Sequence, residues 1–138
     1  MKEFVFGRFR LDGGCMFGSV PKNLWAKRIV PDEENCIPLV CRSLCITTGD
    51  RQILVDCGMG ELWAEPQRRI YAIQNVPESE WGFDPGSVTD LILTHLHFDH
   101  AGGLVRRTSS GNLEPVFPKA RIHLQRAQWE QAQNPTLK

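Results

Sequence analysis

An excess of charge of either sign is missing from this sequence. Sixteen basic and sixteen acidic side chains leave a formal net charge of zero, so no whole-chain field draws it to nucleic acid or to an anionic membrane surface. Long hydrophobic runs are missing too. No stretch approaches the ~20 consecutive apolar residues that span a bilayer. Residues 1–11 mix charges with isolated aromatics, where a secretory signal needs an apolar run ending in small side chains. These absences give the expectation of a soluble, cytoplasmic protein, with neither nucleic acid nor membrane as a partner. The five cysteines, Cys15, Cys36, Cys41, Cys45 and Cys57, are odd in number and contain no C-x-x-C pair, which argues against a disulfide framework. Repeats and low-complexity segments are also lacking.

What is present suffices for a core. The chain has 138 residues, 41% of them hydrophobic, enough for one globular domain over residues 1–138. Residues 4–11 read as an opening strand, ending at Asp12-Gly13-Gly14. The following stretch through Pro21-Lys22 is rich in turn formers and reads as an ordered loop. Its apolar side chains, Met16 and Phe17, together with Trp25, either cap the core or wall a substrate pocket. Residues 37–47 and 52–55 are β-prone and joined through Thr48-Gly49-Asp50-Arg51, a hairpin signal. Within the first of these strands Cys41, Ser43 and Cys45 share a face, as small buried residues; the sharper alternative is a structural zinc site with Cys36 and a fourth ligand. Residues 61–75 read as partly helical, interrupted at Pro66, and Pro85-Gly86-Ser87 as a turn or helix entry. Residues 91–94 form a short buried strand, 106–118 a polar connection, 120–124 a strand and 125–133 a helix.

Three of the four histidines fall within six positions, in Thr94-His95-Leu96-His97-Phe98-Asp99-His100-Ala101-Gly102-Gly103. Imidazole nitrogen and carboxylate oxygen together suit zinc and also admit iron or manganese. The i, i+2 spacing brings His95 and His97 to one side of an extended segment. A turn at Phe98 would aim Asp99 and His100 elsewhere, toward a second metal. The alternative is a hydrogen-bonded cluster without metal. His123, alone between Ile122 and Leu124, reads as a structural histidine with a satisfied hydrogen bond.

The run from Thr94 to Gly103 resembles the HxHxDH signature of the metallo-β-lactamase superfamily, and Val55-Asp56-Cys57-Gly58-Met59-Gly60 is similar to the Asp-x-Gly turn which that family places after its early hairpin. The Leu and Phe inside the motif, Asp12-Gly13-Gly14 and the segment from Met16 to Lys22 are similar to the quorum-quenching lactonases that open N-acyl-homoserine lactones. The resemblance implies an α/β fold, the N-terminal half of a metallo-β-lactamase αββα sandwich. It implies metal ligands at His95, His97, Asp99 and His100, and two zinc ions per complete site, with iron or manganese as alternatives. It further implies a metallo-hydrolase acting on a small-molecule substrate through an ester-like bond, most directly a lactone. Thioester hydrolysis, phosphodiester cleavage and sulfur oxidation at a single iron are other chemistries of the fold; an inactive metal-binding module is the non-enzymatic reading. Asp56 either orients a metal-bound histidine or is a turn aspartate bonded to nearby backbone. The family domain is about twice this length. Its third histidine for the first metal, bridging aspartate and last histidine fall in the other half, so a fragment, or a second chain completing the site, is expected. An open sheet edge and exposed core surface go with that expectation.

Overall fold

Alternating aromatics make the beginning of the chain extended, and β1 runs over Lys2–Asp12. The computed structural model describes residues 1–135. Two short helices follow, α1 (Gly13–Phe17) and α2 (Lys22–Trp25), then the hairpin of β2 (Cys36–Thr48) and β3 (Arg51–Val55). Next come α3 (Glu65–Ile70), β4 (Gln74–Asn75), β5 (Asp90–Ile92) and α4 (Phe98–Ala101). The described chain closes with β6 (Val105–Arg107), β7 (Leu113–Pro115), β8 (Arg121–His123) and α5 (Arg126–Gln133). Six strands form one sheet in the order β4-β1-β2-β3-β5-β8, and β6 and β7 pair in a second sheet. No helix among the described residues is long and apolar enough to cross a membrane.

The chain divides into two compact units, one of residues 1–7, 41–62 and 75 onward, the other of residues 8–40 and 63–74. In the first unit the expected hairpin forms, antiparallel, with Leu44 opposite Val55 and Thr48 opposite Arg51. Gly49 supplies the positive φ of 57° that the turn requires. β3, β5 and β8 then run parallel, with Leu54 beside Leu91 and Leu91 beside Ile122. Leu54, Leu91 and Val88 are completely buried, each contributing roughly 1.5–3 kcal/mol through the apolar surface it removes from water. Cys41, Ser43 and Cys45 are all buried, as their common face on β2 implies. An aromatic cluster closes this core: the rings of Phe4, Phe6, Trp81 and Phe83 meet at 4.6–5.8 Å, and the Trp81 indole N–H donates to the Val76 carbonyl.

Residues 106–118 are more ordered than the sequence pattern implies. They hold most of the β6–β7 hairpin, Arg106 opposite Glu114, and end on the buried Val116 and Phe117. Strands of three residues are too short to show alternation, but the turn is readable afterwards: Thr108 Oγ1 accepts from the Asn112 N–H and Gly111 has φ 88°.

In the second unit the predicted loop after β1 is helical. The Asp12 carboxylate accepts from the Cys15 N–H at 2.9 Å, capping α1. Gly13 is required here, because a Cβ would sit 2.4 Å from the Trp25 ring. Trp25 is buried and stacks on Phe17 at 5.0 Å, so these two side chains cap a core; Met16 is exposed. Pro66 does not interrupt α3: it stands at its first turn, where a missing N–H costs nothing. Arg10 pairs with Asp32 at 2.7 Å and also with Glu34.

Candidate metal centre

The histidines lie where β5 ends. The chain leaves the sheet after Ile92, the Leu93 N–H donates to the His123 carbonyl, and residues 95–97 are irregular before α4 begins at Phe98. The carbonyl of His97 accepts from the N–H groups of His100 and Ala101 at 3.0 Å each, closing that single helical turn. The turn brings His100 back against His95. Their ring centroids are 4.0 Å apart, and those of His95 and His97 are 4.5 Å apart. The divergence of His100 from His95 expected from the sequence is therefore not found; His95 stands between the other two rings.

The glycine turn after β3 is locked to this segment by backbone. The Cys57 N–H donates to the His100 carbonyl at 2.8 Å, and the Gly103 N–H to the Gly58 carbonyl at 3.0 Å. A Cβ on Gly103 would lie 2.0 Å from the Cys57 oxygen, and one on Gly60 would lie 2.2 Å from the Gly102 oxygen. Two glycine-containing stretches, separated in sequence, are thus one close backbone approach.

Asp56 occupies the corner between them. It lies in the left-handed region at φ 58°, a conformation costing roughly 1–3 kcal/mol for a non-glycine residue but more open to aspartate than to most. Its buried carboxylate offsets that strain by accepting from the Thr94 N–H at 2.8 Å, the Thr94 hydroxyl at 2.8 and 3.0 Å, and His100 Nδ1 at 2.8 Å. Asp56 thus bonds both the backbone of Thr94, distant in sequence, and a motif histidine. Thr94 had no role assigned from sequence, yet its hydroxyl also lies 3.0 Å from His95 Nδ1.

Burial first, then the neighbouring His100 and His97, hold the His95 imidazole below its ordinary pKa, favouring the neutral form that metals bind. Burial also pushes the Cys57 and Cys41 thiols up to about 12, so neither supplies thiolate at neutral pH. Among the described residues no group of three or more His, Cys, Asp or Glu side chains is arranged to hold a metal ion as it stands. The donor set nevertheless fits one. An ionised carboxylate only accepts, so Asp56 places the proton of a neutral His100 on Nδ1 and leaves a lone pair on Nε2. That nitrogen faces Asp99 Oδ2 at 3.2 Å. Two electron-rich atoms so placed call for a cation between them, a proton or a metal, and two donors each ~2.0 Å from a tetrahedral ion stand about this far apart.

Residues 36–116 match the model of the metallo-beta-lactamase superfamily. The chain belongs to that superfamily. Among solved structures, a probable metal-dependent hydrolase from Staphylococcus aureus superposes with a TM-score of 0.84 at 29% identity, over 98% of this chain and 50% of that one. A quorum-quenching N-acyl homoserine lactone lactonase superposes with a TM-score of 0.58 at 26% identity, over 96% of this chain and 48% of that one. A ribonuclease of Thermus thermophilus is 35% identical over 72 residues, 52% of this chain and 15% of the ribonuclease. This metallo-β-lactamase chain therefore spans about half the length of the two hydrolase structures and a smaller share of the ribonuclease. Its mixed α/β fold with a large sheet is that of the N-terminal half of the superfamily fold.

His123 lies apart from the cluster in its bonding, with Nε2 on Asp90 Oδ1 at 2.8 Å, the satisfied structural histidine expected. Its partner Asp90 was not singled out in the sequence. The side chains of Arg51, His123 and Thr89 hydrogen-bond to it and hold its carboxyl well below the usual carboxylate range.

Proposed function

We propose that His95, His97, Asp99 and His100 hold a divalent metal, most directly zinc, in a hydrolase acting on an ester-like bond, with a lactone as the preferred substrate. The observation that carries the reading is the gathering of the three imidazoles at the end of β5, with the His100 tautomer fixed by Asp56. A complete site of this kind takes two metal ions, and the ligands of a second ion lie beyond these four residues, in the same protein or a partner. When bound, the metal supplies Lewis acidity, polarising a carbonyl oxygen and bringing a water toward ionisation near neutral pH. His95 and His100 offer neutral nitrogens to it. Asp99 supplies the charge that partly balances it, its Oδ2 standing 3.2 Å from His100 Nε2. Asp56 keeps the His100 ring in orientation, a role whose loss typically costs 10- to 100-fold in metal affinity. The lactonase likeness and the N-terminal segment favour the lactone, and five free thiols are in keeping with a cytoplasmic setting.

The ribonuclease relative supports a second reading, phosphodiester cleavage. Zero net charge weighs against it, since polyanion binding draws on a basic surface. The test is a substrate panel with zinc-supplemented protein: N-acyl-homoserine lactones, a thioester, bis(p-nitrophenyl) phosphate and a short RNA. Lactone opening that disappears in His97→Ala is expected. Turnover of the phosphodiester or RNA alone would replace the first reading by the second, and turnover unchanged in His97→Ala would overturn both.

A further inference from the structure

The Thr94 hydroxyl lies between a carboxylate and an imidazole. Its oxygen is 2.8 Å from Asp56 Oδ2, 3.0 Å from Asp56 Oδ1 and 3.0 Å from His95 Nδ1. A hydroxyl has one proton to give and two lone pairs to accept with. The carboxylate can only accept, so the hydroxyl proton is directed to Asp56. What remains for His95 is a lone pair, and a lone pair on Oγ1 requires the proton of the neutral imidazole to be on Nδ1. His95 is then left with its free electron pair on Nε2, the same outcome that Asp56 imposes directly on His100 at 2.8 Å. His97 has no hydrogen bond to either ring nitrogen among the described residues.

We infer that Thr94 is a positioning residue which relays the Asp56 carboxylate to His95, so that one buried aspartate sets the tautomer of two motif histidines and presents both Nε2 atoms for metal. The relay rests on the metal reading only for its use; the hydrogen-bond geometry exists without the ion. Local structure supports the arrangement independently. Thr94 also donates its backbone N–H to Asp56 Oδ1 at 2.8 Å, which pins the residue, and the Asp56 N–H donates to the Ile92 carbonyl at 2.9 Å. One backbone N–H bond thus ties Thr94 to the carboxylate and another ties Asp56 to the end of β5. A valine at this position matches the shape of threonine and removes only the relay, whereas serine keeps it.

The first test needs no metal. Long-range proton–nitrogen correlation spectra of the metal-free, full chain, recorded where imidazole is neutral, distinguish the two tautomers of His95. The expected result is Nδ1–H in the parent and in Thr94→Ser, with the Nε2–H form rising in Thr94→Val. The second test is zinc affinity by competition with a chelator: Thr94→Val should bind about 10- to 100-fold more weakly, and Thr94→Ser within a few-fold of the parent. A parent His95 carrying its proton on Nε2 overturns the relay outright, without reference to any variant's folding. Equal zinc affinity of parent and Thr94→Val, with both folded by circular dichroism, overturns its consequence. A parent that binds no zinc would overturn the proposed metal site, and the tautomer spectra would still decide the relay.

Discussion

Asp90 is buried at the start of β5, where it accepts from Arg51 at 2.6 and 3.0 Å, from Thr89 at 2.8 Å and meets His123 Nε2 at 2.8 Å. These partners hold its carboxyl below the ordinary value of about 3.9. A depressed folded-state pKa stabilises the fold above the unfolded value and loses that contribution as pH falls through the folded one. Asp90→Asn should therefore be less stable than the parent at pH 7, with the gap in urea midpoint narrowing as pH is lowered below about 4. A gap that persisted unchanged into acid would mean that shape, and not charge, is what Asp90 provides. The thiols give a second residue-scale prediction. Cys41 and Cys57 are buried and raised to about 12, while Cys15 is exposed. Mass spectrometry after a brief alkylation should find Cys15 modified first and Cys41 and Cys57 modified only in denaturant. The roles of His123 and of the Cys41–Cys45 face were legible in the sequence, because one residue type and one spacing carried each. Asp90 and Thr94 were not, because their importance comes from partners brought from β3, β8 and the turn after β3.

At the scale of elements, the site depends on how closely two turns approach. Gly103→Ala would drive a methyl to 2.0 Å from the Cys57 carbonyl oxygen, a contact with backbone that cannot move aside. Such overpacking costs at least about 1–3 kcal/mol. Gly49→Ala, at φ 57° but with open space around it, should cost only the roughly 1–2 kcal/mol of left-handed strain. Thermal unfolding of the two variants checks this, and Gly103→Ala should also lose zinc affinity while Gly49→Ala keeps it. Equal behaviour of the two would remove the close approach from the account. The β2–β3 hairpin, β5 and the order of the motifs could be read from local pattern. The capped helix α1 and the β6–β7 hairpin could not: α1 is held by one side-chain cap and by contact with Trp25, and the β6 and β7 strands are too short to carry a period.

At the scale of the whole chain, the fold supplies a parallel arrangement of β3, β5 and β8 whose ends deliver Asp56 and the histidine segment to one place. The motif was legible because its residue types are rare together, and the nearness of His95 and His97 followed from their spacing; the approach of His100 to His95 was not legible, since it depends on the single turn of α4. The chain spans about half the length of its hydrolase neighbours, and the proposed metal site is tested on it directly. The most direct measurement is zinc content by mass spectrometry of the parent and of His95→Ala/His97→Ala, each loaded with zinc and then dialysed. Zinc retained by the parent and reduced to background in the variant is the result predicted here. Equal zinc in the two proteins, with both folded, would contradict the assignment of the metal to this cluster.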